Sequence, residues 1–341
     1  MSTHMSAANR LPLALLLVLS SSARLRAQSS APASPANSER RVVFDQGAFF
    51  GESEAMPHWE HGYLVSREVE TFNEGQANIR LYDSSGALVR SAAVWFPGSQ
   101  RVILYSVAVT SDGRIVAAGT ANKSDGTSAA FIAHLDQSGT TTDVIQTNTF
   151  VPTNICLAPD DTVWSFGGNG YQSPSEPRPG DTLRHFDFRK GEIGSYLPRS
   201  LLTDLRSEPT VLAYIRCSSV LVSAYSPRAQ TYIEMRYIEA SPRLYHVPSP
   251  STLKMHGFAV TEEKRIYGYF SQPNFGGLYS LALDPTSGSG TWAPVHGSVG
   301  PSTQSGVVTG LWGADSNNLL LSKSGDVLGI SAIHWTAAPK P

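Results

Sequence analysis

The densest group of side chains able to hold a metal or move a proton is His58-Trp59-Glu60-His61. In an extended strand His58 and Glu60 share one face, and His61 falls at the following turn. Zinc would need a further ligand from elsewhere in the chain, and the sequence names none. Aligned with the hairpin Val107–Ala117, Glu60-His61-Gly62 matches Ser111-Asp112-Gly113. The expected role is therefore a turn, with Gly supplying the positive backbone angle. Asp83, Asp136, Asp187 and Asp284 form a second set of carboxylates. Each opens an Asp-x-x-Gly or similar turn, where the side chain caps its own backbone, so no acid/base pair is read from them. Residues 167–181 (Gly-Gly-Asn-Gly-Tyr-Gln-Ser-Pro-Ser-Glu-Pro-Arg-Pro-Gly-Asp) are the longest interruption between strands and bring Tyr171, Glu176 and Arg178 to the surface. Loops of this length in compact domains are often functional. Nucleophile-elbow, His-Glu-x-x-His, P-loop and dinucleotide motifs are absent from the sequence.

The elements that position these residues are strands. Apolar runs after residue 40 are four to eight residues long, rich in β-branched and aromatic types, and broken by Gly, Asp, Asn or Pro. A strand ending in an acid and a turn recurs at Asp83, Asp136, Asp187, Glu239 and Asp284, spaced 53, 51, 52 and 45 residues apart. A tight hairpin recurs on the same beat at 56–65, 107–117, 155–166, 212–224, 258–268 and 311–321. In the second unit the strands are expected at 102–110, 114–120, 129–135 and 142–149. Four antiparallel strands per repeat, six times over, predict an all-β, six-bladed β-propeller. The sixth unit stops after three strands, near Trp335, and the orphan strand 41–44 is expected to supply its outer edge. Such closure removes the loose seam.

In this architecture the loops between second and third strands share one face with the links between blades. The candidate ligand-binding residues there are Lys123, Tyr171, Arg178, His256, Asn274 and Phe275, with Asn73, Glu74, Asn122 and Arg228 in the wider set. Ala108, Cys156, Ala213 and Ala259 align in the crowded first strand, where Cys156 reads as a small buried residue. Cys217 aligns with the turn residue Asp112, four positions further along. Four strand residues span about 13 Å, whereas a disulfide needs Cα atoms within about 7 Å. Two free cysteines are expected.

Residues 1–27 read as a secretory leader: Arg10, the apolar run Leu11–Leu19, and cleavage after Ala27 or Ala23. That run is about half the roughly 20 residues of a bilayer span, so no membrane span is expected. Residues 28–40, rich in Ser, Pro and Ala, read as a disordered tether, and 41–337 as the propeller domain. Loss of the leader removes three arginines and no acid, leaving 23 basic against 28 acidic residues, a net charge of -5. Nothing in this balance favours nucleic acid. A secreted or periplasmic location follows.

The units resemble those of six-bladed propellers of the NHL-like and related bacterial exported kind, over residues 41–337. The stretch Val107-Ala-Val-Thr-Ser-Asp-Gly-Arg-Ile-Val-Ala-Ala-Gly119 carries the likeness best. Trp164-Ser-Phe-Gly-Gly168 is similar to the double glycine of kelch blades but occurs once. The gluconolactonase group is also six-bladed and holds a divalent metal on carboxylates and amides; no matching ligand motif exists here, so no metal or cofactor is carried over. Fold alone does not give activity. The leading reading is a binding or scaffold module for a protein or carbohydrate partner. The alternatives are a propeller hydrolase or lyase, with or without a metal, and two β domains split near residue 205.

Overall fold

A computed structural model describes residues 40–43, 54–169, 182–202, 213–239, 241–250, 252–324 and 332–339. The expected leader (1–27), the tether up to residue 39, and Tyr171 and Arg178 lie outside the described residues.

The regular structure of the described residues is almost all strand. After β1 (Arg40–Val43) come β2 (Glu54–Glu60), β3 (Tyr63–Glu68), β4 (Glu70–Thr71), β5 (Ile79–Tyr82) and β6 (Leu88–Ala92). Strands β2, β3, β5 and β6 form one antiparallel sheet in that order. Strand β4 crosses to the next sheet, built from β7 (Ser99–Val109), β8 (Ile115–Lys123), β9 (Ser128–Leu135) and β10 (Thr141–Asn148). The third sheet holds β11 (Phe150–Leu157), β12 (Val163–Asn169), β13 (Leu183–Asp187) and β14 (Gly191–Ser195). A short 3-10 turn, Arg199–Leu201, follows. Next come β15 (Tyr214–Cys217), β16 (Leu221–Ser226), β17 (Thr231–Arg236) and β18 (Arg243–His246). They meet β19 (Lys254–Val260), β20 (Ile266–Gln272), β21 (Phe275–Asp284) and β22 (Ser289–Pro294) through one parallel bridge, His246 to Ser289. The two-residue β23 (Gly300–Pro301) pairs with β21. The chain closes with β24 (Val308–Asp315), β25 (Asn318–Lys323) and β26 (Ala332–Ala337). Strand β1 returns to pair antiparallel with β26, Val42 opposite Ile333, one residue earlier than the sequence placed it.

The first strands of successive sheets face one another around an axis: β7 packs on β11, β11 on β15, β15 on β19, β19 on β24, and β24 on β2. Between β2 and β7 the link is polar, with the Val109 N–H donating to Glu60 Oε2 at 2.9 Å and His61 Nδ1 2.6 Å from the Val109 carbonyl oxygen. Apolar clusters fill the gaps between sheets. Val65, Leu81, Leu104 and Phe131 pack between the first two, and Trp164, Ile215, Val222 and Ile233 between the third and the next. Burying a side chain such as Phe131 or Phe150 contributes roughly 1.5–3 kcal/mol. Residues 37–341 form one compact unit, and contacts between β11 and β15 bridge position 205, so the two-domain alternative is overturned.

The turn acids behave as read. Asp83 accepts the Ser85 N–H at 2.7 Å, Asp136 that of Ser138 at 2.8 Å, Asp187 that of Arg189 at 2.8 Å and Asp284 that of Thr286 at 2.9 Å. His61, with φ 45°, and Gly62 make the expected turn after β2.

The cysteine expectation fails. Cys156 and Cys217 form a disulfide, with Cα atoms 5.5 Å apart. The error lay in the hairpin alignment. The turn of the fourth unit spans Ser218 to Leu221, joined by Ser218 N–H to Leu221 O at 2.9 Å. Cys217 is thus the last paired residue of β15, opposite Val222, and corresponds to Leu157, the neighbour of Cys156. The two sulfurs sit at the same level on adjacent inner strands.

Inner strands are not regular. All but β15 slip: once in β2, β11 and β19, at Ala55/His58, Pro152/Asn154 and Met255/Gly257, and twice in β7, at Ser99/Arg101 and Leu104/Ser106, and in β24, at Val308/Gly310 and Leu311/Gly313. Each slip is a β-bulge, an extra residue that bends the strand and re-aims a side chain. Opposite two of them stand glycines. A Cβ on Gly119 would strike the Ile103 carbonyl oxygen, and one on Gly167 the Val151 carbonyl oxygen. The bulged strand can press against its neighbour only where that Cβ is missing.

Candidate functional site: a cationic central cavity

The bulges open onto a cavity of about 740 Å³ on the axis. That size suits a small molecule or the end of a longer chain. All the first strands contribute to its wall: Pro57 to Glu60 of β2, Tyr105 to Val107 of β7, Thr153 to Ile155 of β11, Tyr214 and Arg216 of β15, Lys254 to Phe258 of β19, and Leu311 and Trp312 of β24. Arg67 of β3 reaches in beside them. Pro227 and Arg228, in the turn between β16 and β17, and Ser249 and Leu253, between β18 and β19, also line it. Five residues skipped by the ladder slips, Pro57, Tyr105, Thr153, His256 and Trp312, are among the residues lining the cavity. Tyr105, Thr153 and His256 each stand four residues before the last ladder pair of their hairpin.

Charge in the wall is one-sided. The half-buried Arg67 and Arg216, with Arg228 and Lys254 exposed at the edge, share the lining with one carboxylate, Glu60. Arg67 donates to the Leu104 carbonyl oxygen and Arg216 to the Ile215 carbonyl oxygen at 2.8 Å. Burial draws the Arg67 guanidinium down to about 10, so it stays charged at neutral pH. Burial also lowers Arg216, against the pull of Glu60 and Tyr214. Tyr214 donates to the Met255 carbonyl oxygen at 2.9 Å, and burial raises its hydroxyl to about 12. His58 Nε2 lies 3.6 Å from Glu60 Oε2. Burial is the largest influence on His58; it outweighs the hydrogen bond and charge of Glu60, and Arg216 and Arg67 push the same way, so the imidazole is held below 6.5. Burial and then Lys254 lower His256 as well. Both rings are therefore neutral at pH 7.

Among the described residues no three His, Cys, Asp or Glu side chains converge to hold a metal ion. No helix among them is long and apolar enough to cross a membrane.

Of the residues singled out in the sequence, His256 and Arg228 line the cavity. Lys123 ends β8 on the surface, Asn274 occupies the exposed turn between β20 and β21 with φ 65°, and Phe275 is half-buried at the start of β21, away from the cavity wall. These three are thus not brought together with His256. Sequence reasoning missed Arg67, Tyr105, Asn154, Tyr214, Arg216 and Trp312, and it set His58 and Glu60 aside as part of a turn. The turn is real, but it begins after Glu60, so the two side chains before it remain free to border the cavity.

No family model matches this sequence, and no curated protein matches it. Solved structures do resemble it. A protein from Bacteroides fragilis described as exported is 11% identical over 90% of this chain and 98% of its own, with a TM-score of 0.53. A member of the DUF4221 family from Bacteroides vulgatus is 9% identical over 88% of this chain and 95% of its own, with a TM-score of 0.50. These likenesses establish a propeller-like fold and nothing about activity.

Proposed function

We propose that the chain is an exported six-bladed propeller that binds a hydroxylated small molecule, or the end of a glycan, in its central cavity. Support for the blade count is the set of four-stranded units, with β1 completing the sheet of β24, β25 and β26. Support for export is the leader-like start of the sequence together with the disulfide, a bond favoured outside the reducing cytosol. The observation that carries the binding role is the set of bulges. Regular strands would pack fully, whereas these turn Tyr105 and His256 into the space on the axis. Aromatic rings beside Asn154, Ser249 and a pair of neutral histidines suit a ligand with an apolar face and a polar rim. The test is a calorimetric titration of a panel of mono- and oligosaccharides into the purified protein. Binding that Tyr105→Ala and His256→Ala weaken supports the reading; saccharide binding indifferent to both variants refutes it.

A catalytic reading, hydrolase or lyase, is favoured by one feature: neutral His58 beside Glu60 in the cavity wall, the pairing a general base uses. Chromatography of the bound saccharide separates the two. Recovery of intact ligand after prolonged incubation supports binding alone. Cleavage that His58→Gln abolishes supports the enzyme.

A further inference from the structure

We propose that Arg67 and Arg216 form a carboxylate subsite in the cavity wall, and that the ligand is an acidic saccharide carrying a uronate-type group. The inference rests on the cavity-binding reading above and names the class of ligand.

The argument begins with charge. The full chain carries a net charge of -2, yet the half-buried Arg67 and Arg216 in the cavity wall stand against one carboxylate, with Lys254 and Arg228 exposed at its edge. Cations gathered in a low-dielectric recess of an otherwise acidic protein focus the field on an anion. Neither arginine is neutralised internally. Among the described residues Arg67 has a backbone carbonyl as its partner, and so has Arg216, with Glu60 acting on Arg216 only at longer range. Glu60 itself is engaged by the Val109 N–H and faces His58. His58, being neutral, brings no balancing charge.

A guanidinium presents five donors in a planar fork. One carbonyl uses a fraction of them. Drawing a cation out of water without its counter-ion is costly, and a ligand anion would offset that cost on arrival. The chemistry of the group follows from the fork: two parallel N–H donors match the two oxygens of a carboxylate. The rest of the wall describes the body that bears it. Tyr105 offers an apolar face, and Asn154 and Ser249 offer hydrogen bonds to hydroxyls.

The experiment titrates glucuronate and galacturonate oligosaccharides, their neutral glucose and galactose counterparts, and glucose 6-phosphate into the full exported chain by calorimetry. The acidic sugars are expected to bind at least tenfold more tightly than the neutral ones, with an affinity that falls as salt rises. Arg216→Gln is expected to bring the acidic sugars down to the level of the neutral ones. Arg67→Lys and Arg216→Lys keep the charge but lose the fork, and each is expected to cost the acidic sugars several-fold while the melting temperature stays near that of the parent. Neutral sugars binding as well as acidic ones, in both parent and Lys variants, would overturn the subsite and leave the binding cavity standing. Preference for glucose 6-phosphate over glucuronate would overturn the carboxylate assignment in favour of a phosphate. No binding of any sugar at millimolar concentration would remove the cavity reading itself.

Discussion

Reducing the Cys156–Cys217 bond should cost this fold a measurable part of its stability. The bond joins residues 61 apart in sequence. In the chain-entropy account, closing a loop of that length removes about 4 kcal/mol of freedom from the unfolded state. A domain of roughly 300 residues gains about 0.6 kcal/mol/K of entropy on unfolding, at roughly 2.1 cal/mol/K per residue. The two figures together give a fall of about 7 °C in melting temperature. Calorimetry of the oxidised protein, the reduced protein and the double variant Cys156→Ala, Cys217→Ala would measure it. The reduced protein and the variant should melt close together, both below the oxidised form. Two titratable thiols in the denatured, unreduced protein would refute the bond. An unchanged melting point after reduction would refute the loop-entropy reasoning.

Gly119→Ala should destabilise the second sheet by roughly 1–3 kcal/mol, because its Cβ meets the Ile103 carbonyl oxygen with the Phe131 ring 3.1 Å away; urea denaturation checks this, and a neutral result would refute the crowding at the bulge. His58, His185 and His256 are all held below 6.5 by burial. The unfolded chain therefore takes up their protons first, so stability is complete above about pH 6.5 and falls as pH drops through the folded values; His185→Gln should flatten part of that slope in a denaturation series. Asp112, drawn to about 2 by Thr110 first and then Arg114, should support stability above about pH 4 that disappears towards pH 2, and Asp112→Asn should remove that component. Deleting residues 1–43 bares the edge of β26, and exposed edges recruit other chains; light scattering should detect self-association, and a well-behaved monomer with unchanged amide protection in β26 would refute the closure role of β1.

The repeat was legible because turns and strand periods are local. Asp83, Asp136, Asp187 and Asp284 cap their own turns within a few residues, so chain spacing alone located the third-strand ends. The pairing of β1 with β26 was legible for a different reason: a missing fourth strand at one terminus and an orphan at the other have one economical solution. Cysteine pairing was not legible, because it depends on comparing adjacent units to within a residue, and turn lengths differ. Val109 and Ile115 enclose five residues, whereas Cys217 and Val222 enclose four and Glu60 and Tyr63 two. The candidate site suffered in another way. Choosing loops by topology found Arg228 and His256, but the cavity wall is made mostly by strands, and its cations come from different sheets with no common spacing.

A sign of that wall nevertheless stood in the apolar pattern. In β7 the core residues are Val102, Leu104, Val107 and Val109; in β19 and just before it they are Leu253, Met255 and Phe258, with the half-buried Val260 packed against them; in β11 the buried positions Phe150, Pro152, Ile155 and Leu157 repeat the spacing. A regular strand keeps its period of two, so steps of two, three and two require an extra residue where the phase breaks. That residue follows the second core position in each case: Tyr105, Thr153 or His256, and the ladder slips there. The same parity change that keeps the outer half of the strand packed on its neighbour obliges the odd residue to leave the core face. On the innermost strand of a ring the space left to it is the axis. The break in period therefore locates the cavity residues, and it does so independently of whether those residues look chemical, which is why a threonine holds the position in one sheet and a histidine in another.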